Sequence, residues 1–180
     1  MEVSDEQLML DYGGGDAAAF EVLYRKHRGG LFRYVLRSVR ERRLAEELFQ
    51  EVWLKVIEAR ERYAPQAKFT TWLYAIAHNR LIDHFRSSGL RSAETISEEL
   101  PDPPARAGEQ PEQKAVFREQ GARLVAALEA MPLAQREAFL LHEEAGLSVP
   151  EIAAITGTDM EAAKSRLRYA VAKLREALKD

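Results

Sequence analysis

The sequence has no cysteine, which excludes disulfides, thiolate catalysis and cysteine-ligated zinc. It has no apolar run near the roughly 20 residues that span a bilayer. Its opening, MEVSDEQLML, is acidic and lacks the basic start of a secretory signal, so a cytoplasmic protein with no membrane insertion is expected. Histidine is scarce: His27, His78, His84 and His142 form neither H-E-x-x-H nor a triad with a nucleophile. His78, Asp83 and His84 share one helical stretch at a spacing that fits no metal site. No catalytic residue, metal or cofactor is assigned, and the chain is not expected to be an enzyme. Positive charge is in deficit too, and a net charge of −3 by itself argues against a nucleic-acid partner.

The distribution of the charges changes that inference. Four cations (Lys68, Arg80, Arg86, Arg91) face one anion, Asp83, between positions 68 and 91. Six cations (Lys164, Arg166, Arg168, Lys173, Arg175, Lys179) face two anions between 160 and 179. The intervening stretch 92–119 holds seven anions against Arg106, Lys114 and Arg118. Two basic patches separated by an acidic connector suit a polyanionic partner. The whole, 180 residues with 46% hydrophobic and 31% charged, has the balance of a soluble globular protein of one domain or two small ones.

Helical patterns dominate. Ser4 or Asp5 caps a short helix that stops at Gly13–Gly15, and Asp16 caps a second with Phe20, Leu23, Tyr24 and His27 on one side. The glycines lack G-x-G-x-x-G spacing, so they read as a helix break. A further run from about Leu31 buries Phe32, Val35, Leu36 and Val39. The longest regular helix is expected over Leu44–Tyr63, with Leu44, Leu48, Val52 and Val56 as its stripe and Pro65 beyond its end. Its other faces carry Glu46, Glu47, Gln50 and Glu51, with Trp53 partly exposed. Such an acidic face is either a solvated surface or a dock for an arginine-rich helix.

From Lys68 to Arg86, KFTTWLYAIAHNRLIDHFR, the apolar residues Leu73, Ile76, Ala77 and Leu81 recur at helical spacing. Lys68, Arg80 and Arg86, with Asn79, His78 and the ring of Phe69 or Trp72, suit a phosphate backbone and an unstacked base; the same pattern also describes a core helix with a solvated basic side. Residues from about Ser87 to Gln113 have linker composition, rich in serine, proline and acids. Roughly 25 residues at about 3.3 Å each reach some 80 Å when extended, more than two duplex turns of about 34–36 Å.

Helical periodicity resumes at Val116, breaks at Met131-Pro132, and continues over about Ala134–Glu144 to Gly146. Ser148 caps SVPEIAAIT with Pro150 in its first turn, Gly157 closes it, and Thr158-Asp159 leads into a long helix from Met160 packed by Ala163, Leu167, Val171, Leu174 and Leu178. This is a helix-turn-helix pattern whose second helix begins with residues suited to a major groove.

The motif LAEELFQEVWLKVI followed by KFTTWLYAIAHNRLIDHFR resembles region 2 of a bacterial sigma factor of the extracytoplasmic-function (ECF) group. GLSVPEIAAITGTDMEAAKSRLRYAVAKLR resembles sigma region 4. The resemblance implies an all-α protein of two small helical domains joined by a flexible linker: region 2 over 1–90, a linker over 91–114, and region 4 over 115–180. It implies polymerase contacts at Glu47, Gln50, Glu51 and Trp53. Minus-ten contacts are implied at Tyr63, Lys68, Phe69, Thr70, Asn79, Arg80, Asp83 and Arg86, with Tyr63 and Asn79 bordering an extruded base. Minus-thirty-five contacts are implied at Thr158, Asp159, Glu161, Ala162, Lys164, Ser165, Arg166, Arg168, Tyr169 and Lys173.

The implied partners are core RNA polymerase, promoter DNA and an anti-sigma factor, and the implied function is promoter-specific initiation. Two departures stand out. The common loop F-R-G-E-S is Tyr63, Ala64, Pro65, Gln66, Ala67 here, and the common G-T-V-K-S-R is Glu161-Ala162-Ala163-Lys164-Ser165-Arg166. A freestanding helix-turn-helix regulator is the alternative; it explains the C-terminal half but not the acidic helix before the aromatic loop.

Overall fold

The computed structural model describes residues 2–89 and 111–179, and among them every regular element is a helix. In order these are α1 (Asp5–Gly13), α2 (Ala17–Val39), α3 (Arg42–Ala59), α4 (Phe69–Ser87), α5 (Pro111–Ala130), α6 (Leu133–Ala145), α7 (Val149–Thr156) and α8 (Met160–Ala177). The acidic connector's central part, 90–110, lies outside the described residues. The helix after it starts at Pro111, ahead of Val116 where the periodicity is legible.

Local chemistry sets most boundaries. Ser4 accepts from the Gln7 amide, Asp16 from the Ala18 amide and Asp159 from the Ala162 amide, each satisfying a donor that the first helical turn leaves free. Ser148 and Glu151 form a reciprocal capping box at the start of α7. Gly157 closes that helix at φ 67°, a left-handed conformation that costs a residue without Cβ little.

Two expectations are corrected. The runs read as separate helices around Phe20 and Phe32 are one 23-residue helix, α2, which continues through Gly29 and Gly30 and is longer than α3. The helix expected over Leu44–Tyr63 is α3, which stops at Ala59 because Arg60 to Arg62 turn into the loop.

One apolar core joins both halves of the chain. Met9, Leu23, Leu31, Tyr34, Leu48, Val52, Val56, Phe69, Leu73 and Tyr74 are buried, and the cluster continues through Leu140, Leu141, Leu147, Ile152 and Ala163. Burying a large apolar side chain contributes about 1.5–3 kcal/mol, so this continuity welds α6 and α7 onto α2 and α4. A smaller cluster of Leu128, Met131, Ala170 and Leu174 holds α5 to α8. The stripe expected on α8 is shifted: Ala163, Ala170 and Leu174 are buried, whereas Leu178 lies past the helix end and is 43% exposed.

Candidate nucleic-acid interface

The start of α4 is held from outside the helix. Lys68 occupies its N-cap without a side-chain bond, so the first amides need another acceptor. Glu6 on α1 supplies one, accepting from the Phe69 N–H at 2.6 Å. Next to it Asp5 accepts from Lys26 at 2.8 Å and lies 2.7 Å from His27 Nε2. Burial holds the His27 pKa below its ordinary value despite that carboxylate, consistent with a neutral ring that donates its Nε2–H.

The loop before α4 turns its aromatic ring inward. Tyr63 is 8% exposed, with its ring centroid 4.9 Å from Trp72 and 6.4 Å from Phe69, which is itself fully buried. The expectation that Tyr63 and Phe69 offer faces to an extruded base is corrected here: both rings belong to the core, because the loop folds onto Trp72. The Tyr63 Oη is buried without a hydrogen-bond partner among the described residues. Burial first, then the charges of Glu6 and Asp5, pushes this phenol up to about 12. What the loop leaves to solvent is Ala64 to Lys68.

Along α4, Asn79, Asp83 and Arg86 are exposed and, at spacings of four and three, share one face. Thr70 is half-buried. Two of the expected phosphate ligands are already engaged: Arg80 donates to the Glu51 carboxylate, and Lys68 Nζ is 3.4 Å from Glu151.

The outer face of α3 presents Glu47 and Gln50, with Glu51 half-buried. Between them and Glu58 stands Leu54, 55% exposed. Sequence reasoning missed Leu54, although its position four residues beyond Gln50 and three beyond Glu51 is a readable signal. The expectation of a partly exposed Trp53 is corrected: it is 5% exposed and packs on Phe20 and Tyr24 at ring separations of 5.8 and 5.0 Å.

In the C-terminal half, α7, Gly157 and α8 form the helix-turn-helix. Asp159 is committed to its cap and the Thr158 hydroxyl lies 3.3 Å from that of Thr156. Glu161, Lys164, Arg168, Tyr169 and Lys173 are exposed, while Ala162, Ser165 and Arg166 are half-buried. Among the described residues, none of Lys164, Arg166, Lys173 or Arg175 has a carboxylate partner, and the Arg168 guanidinium rests 5.7 Å from the Tyr169 ring centroid. An open depression of about 340 Å³ is lined by Val149, Leu167 and Val171, with Lys164, Arg168 and Arg175 around it. This is an unneutralised cationic face on a rigid helix, able to take phosphates and base edges.

A family model described as Sigma-70 region 2 matches residues 23–91, and one described as Sigma-70, region 4 matches residues 121–174. RNA polymerase sigma factor CarQ of Myxococcus xanthus is 34% identical over 94% of this chain and 95% of its own length. ECF RNA polymerase sigma factor SigE of Mycolicibacterium smegmatis is 31% identical over 99% of this chain and 70% of its own length. The fold is shared with sigma factor RpoE of Bartonella quintana, solved with the anti-sigma factor NepR (TM-score 0.69, 24% identity, 88% of this chain and 96% of that one). It is also shared with CnrH, solved with the cytosolic domain of CnrY (TM-score 0.67, 23% identity, 97% and 96%). The region 2 match falls on α2, α3 and α4, for which a freestanding helix-turn-helix regulator has no use, so that alternative is not favoured. With the two matches in order along one chain and a relative aligned over nearly its whole length, the protein belongs to the sigma-70 family, as a sigma factor of the ECF group.

Proposed function

We propose that three exposed faces divide the work of promoter-specific initiation. The outer face of α3 (Glu47, Gln50, Glu51 and Leu54) docks on core polymerase: a leucine among carboxylates fits a partner helix with an apolar centre and an arginine rim. The exposed loop 64–68 and the α4 face of Asn79, Asp83 and Arg86 take the minus-ten strand, the Asn79 amide meeting the edge of an extruded base. The start of α8 takes the minus-thirty-five duplex through Lys164, Arg166 and Arg168, with Glu161 and Ser165 toward base edges. The protein works in the cytoplasm by binding alone and catalyses no reaction of its own. An anti-sigma factor holds it inactive, as suggested by the relatives solved with NepR and CnrY.

One observation carries this reading. The region 2 match lies on the helices that bear the exposed acidic face, and the region 4 match on the helices that bear the unpaired cationic one. Transcription from a mapped promoter with sigma-free core polymerase tests it. The native chain starts RNA at a defined position, and Glu47→Arg abolishes initiation while leaving the fold intact. Failure on every promoter mapped after overexpression would sink the reading.

A further inference from the structure

The end of α2 gathers more guanidinium groups than carboxylates to answer them. Arg37 and Arg40 approach the two oxygens of Glu129 on α5 at 3.8 and 3.9 Å, both beyond a hydrogen bond. Arg136 on α6 reaches the same place, donating from Nη1 to the Arg37 carbonyl at 3.0 Å. Among the described residues, Arg37 Nη1, Arg40 Nε and Arg136 Nε are buried with no hydrogen-bond partner. Glu144, whose charge also reaches Arg37, already takes the Arg33 guanidinium on both oxygens at 3.0 Å.

Cations do belong at the C-terminal end of a helix, where the free carbonyls and the dipole are negative. That accounts for the one Arg136 donor that meets a carbonyl and leaves the other three donors unpaired. A buried donor that gives up water without gaining an acceptor destabilises the fold, and a buried guanidinium needs an opposing charge as well. Arg136 is only 6% exposed, and three guanidiniums against the single Glu129 carboxylate leave two positive charges unbalanced. Burial first, then the charge of Arg40, holds Arg136 below its ordinary pKa, and burial lowers Arg37 against the pull of Glu129 and Glu144.

The backbone supplies a second, independent sign. α6 and α7 end on Gly146 and Gly157 at φ 65° and 67°, the left-handed conformation that glycine takes without strain. α2 ends in the same conformation at φ 63° on Arg40, the one non-glycine residue with positive φ among the described residues. A Cβ makes that conformation costly, so glycine would close the helix better. The arginine is therefore explained by its side chain, and a half-exposed ion pair at 3.9 Å is a weak reason for it.

We propose that Arg37, Arg40 and Arg136 form a site for a dianionic phosphate, either free or as the terminal phosphoryl group of a small metabolite. Guanidinium forks match phosphate oxygens in geometry. A phosphate monoester carries about −1.5 to −2 charges at neutral pH, which balances the excess of two, whereas a phosphodiester in a nucleic-acid backbone carries only one. Glu129 orders Arg37 and Arg40 and at the same time repels the anion, which keeps the affinity modest. Bound there, the anion joins the end of α2 to α6 at a place that the proposed polymerase and DNA faces do not use, so the site goes beyond that reading and does not depend on it.

Titration calorimetry and melting temperatures on the full chain test the site, with inorganic phosphate as the probe and chloride at matched ionic strength as the reference. Phosphate should bind once per chain and raise the melting temperature more than chloride does. Arg40→Gly relieves the backbone, so it should melt no lower than the parent without phosphate, yet bind phosphate about tenfold or more weakly, the loss expected for a hydrogen bond between charged groups. Glu129→Gln should bind phosphate about tenfold tighter, because a like charge beside the anion is gone; arginines that serve only Glu129 would show no such gain. Two further arms identify the source. Adenosine monophosphate that competes with phosphate marks a phosphorylated metabolite as the ligand class, and phosphate binding without that competition marks the free anion. Phosphate acting no differently from chloride, either variant leaving the phosphate affinity unchanged, or Arg40→Gly weakening the binding of a duplex oligonucleotide and not that of phosphate would overturn the site.

Discussion

The two regions proposed to bind DNA differ in how their cations are engaged. On α4 and its N-cap, Arg80 is bonded to Glu51 and Lys68 faces Glu151. On α8, Lys164, Arg166, Lys173 and Arg175 stand without carboxylates among the described residues. A phosphate approaching α8 meets charge that is already available. A phosphate approaching Lys68 or Arg80 must displace a carboxylate, and in one case that carboxylate belongs to the helix-turn-helix itself, whereas Arg86 stands exposed. The surface proposed to read duplex therefore has its cations available, whereas the surface proposed to read the strand has two of its three cations engaged.

That contrast can be broken experimentally, and the largest effect should fall on α8. With polymerase present, Arg168→Ala should weaken promoter binding by about 1–3 kcal/mol at fixed salt, with the melting temperature unchanged, as judged by filter binding beside calorimetry. A parallel loss of stability would mean that the α8 cations are structural after all. Next comes the support of α4. Glu6→Ala removes the acceptor for the Phe69 amide and should cost about 0.5–2 kcal/mol in urea unfolding, the range for a lost helix cap, with permanganate-detected promoter opening reduced beyond polymerase binding.

Tyr63→Phe should act in the opposite direction. It removes a buried hydroxyl that has no partner and should stabilise the protein by about 1 kcal/mol; a lower melting temperature would reveal a partner for that hydroxyl. The smallest effect is on pH. Hydrogen bonds from Ser148, backbone first, and the charge of Lys68 hold the Glu151 carboxyl below its ordinary value of 4.5. A depressed folded-state pKa means that the contribution is complete above about that value and is lost as pH falls through the lower one. Melting temperatures measured from pH 6 down to pH 3 should show this fall, and Glu151→Gln should flatten it.

The helical class and the caps at Ser4, Asp16, Ser148 and Asp159 were legible because capping is settled within three or four residues. The exposed faces of α3 and α8 were legible from periodicity combined with charge. Other features were not. The single helix α2 was legible only as two runs, around Phe20 and from about Leu31; it continues through Gly29 and Gly30, where packing of α6 against α2 outweighs their low helix propensity. Trp53 read as partly exposed because it lies beside polar neighbours, Tyr63 was placed beside an extruded base by the resemblance alone, and only the cluster with Phe20, Tyr24, Phe69 and Trp72 shows both to be core. Glu6 carried no signal at all, because its partner, the Phe69 amide, lies 63 residues away.

The sequence by itself determined the helices, their order, the separation of acidic from basic faces, and the motifs that mark a sigma factor, all of which follow from chemistry repeated over a few helical turns. The tertiary structure alone decided which charges are free. Whether Lys68, Arg80, Glu51 or Glu144 faces solvent or an opposite charge depends on contacts between residues far apart in the chain, and such pairing has no period for a sequence to display.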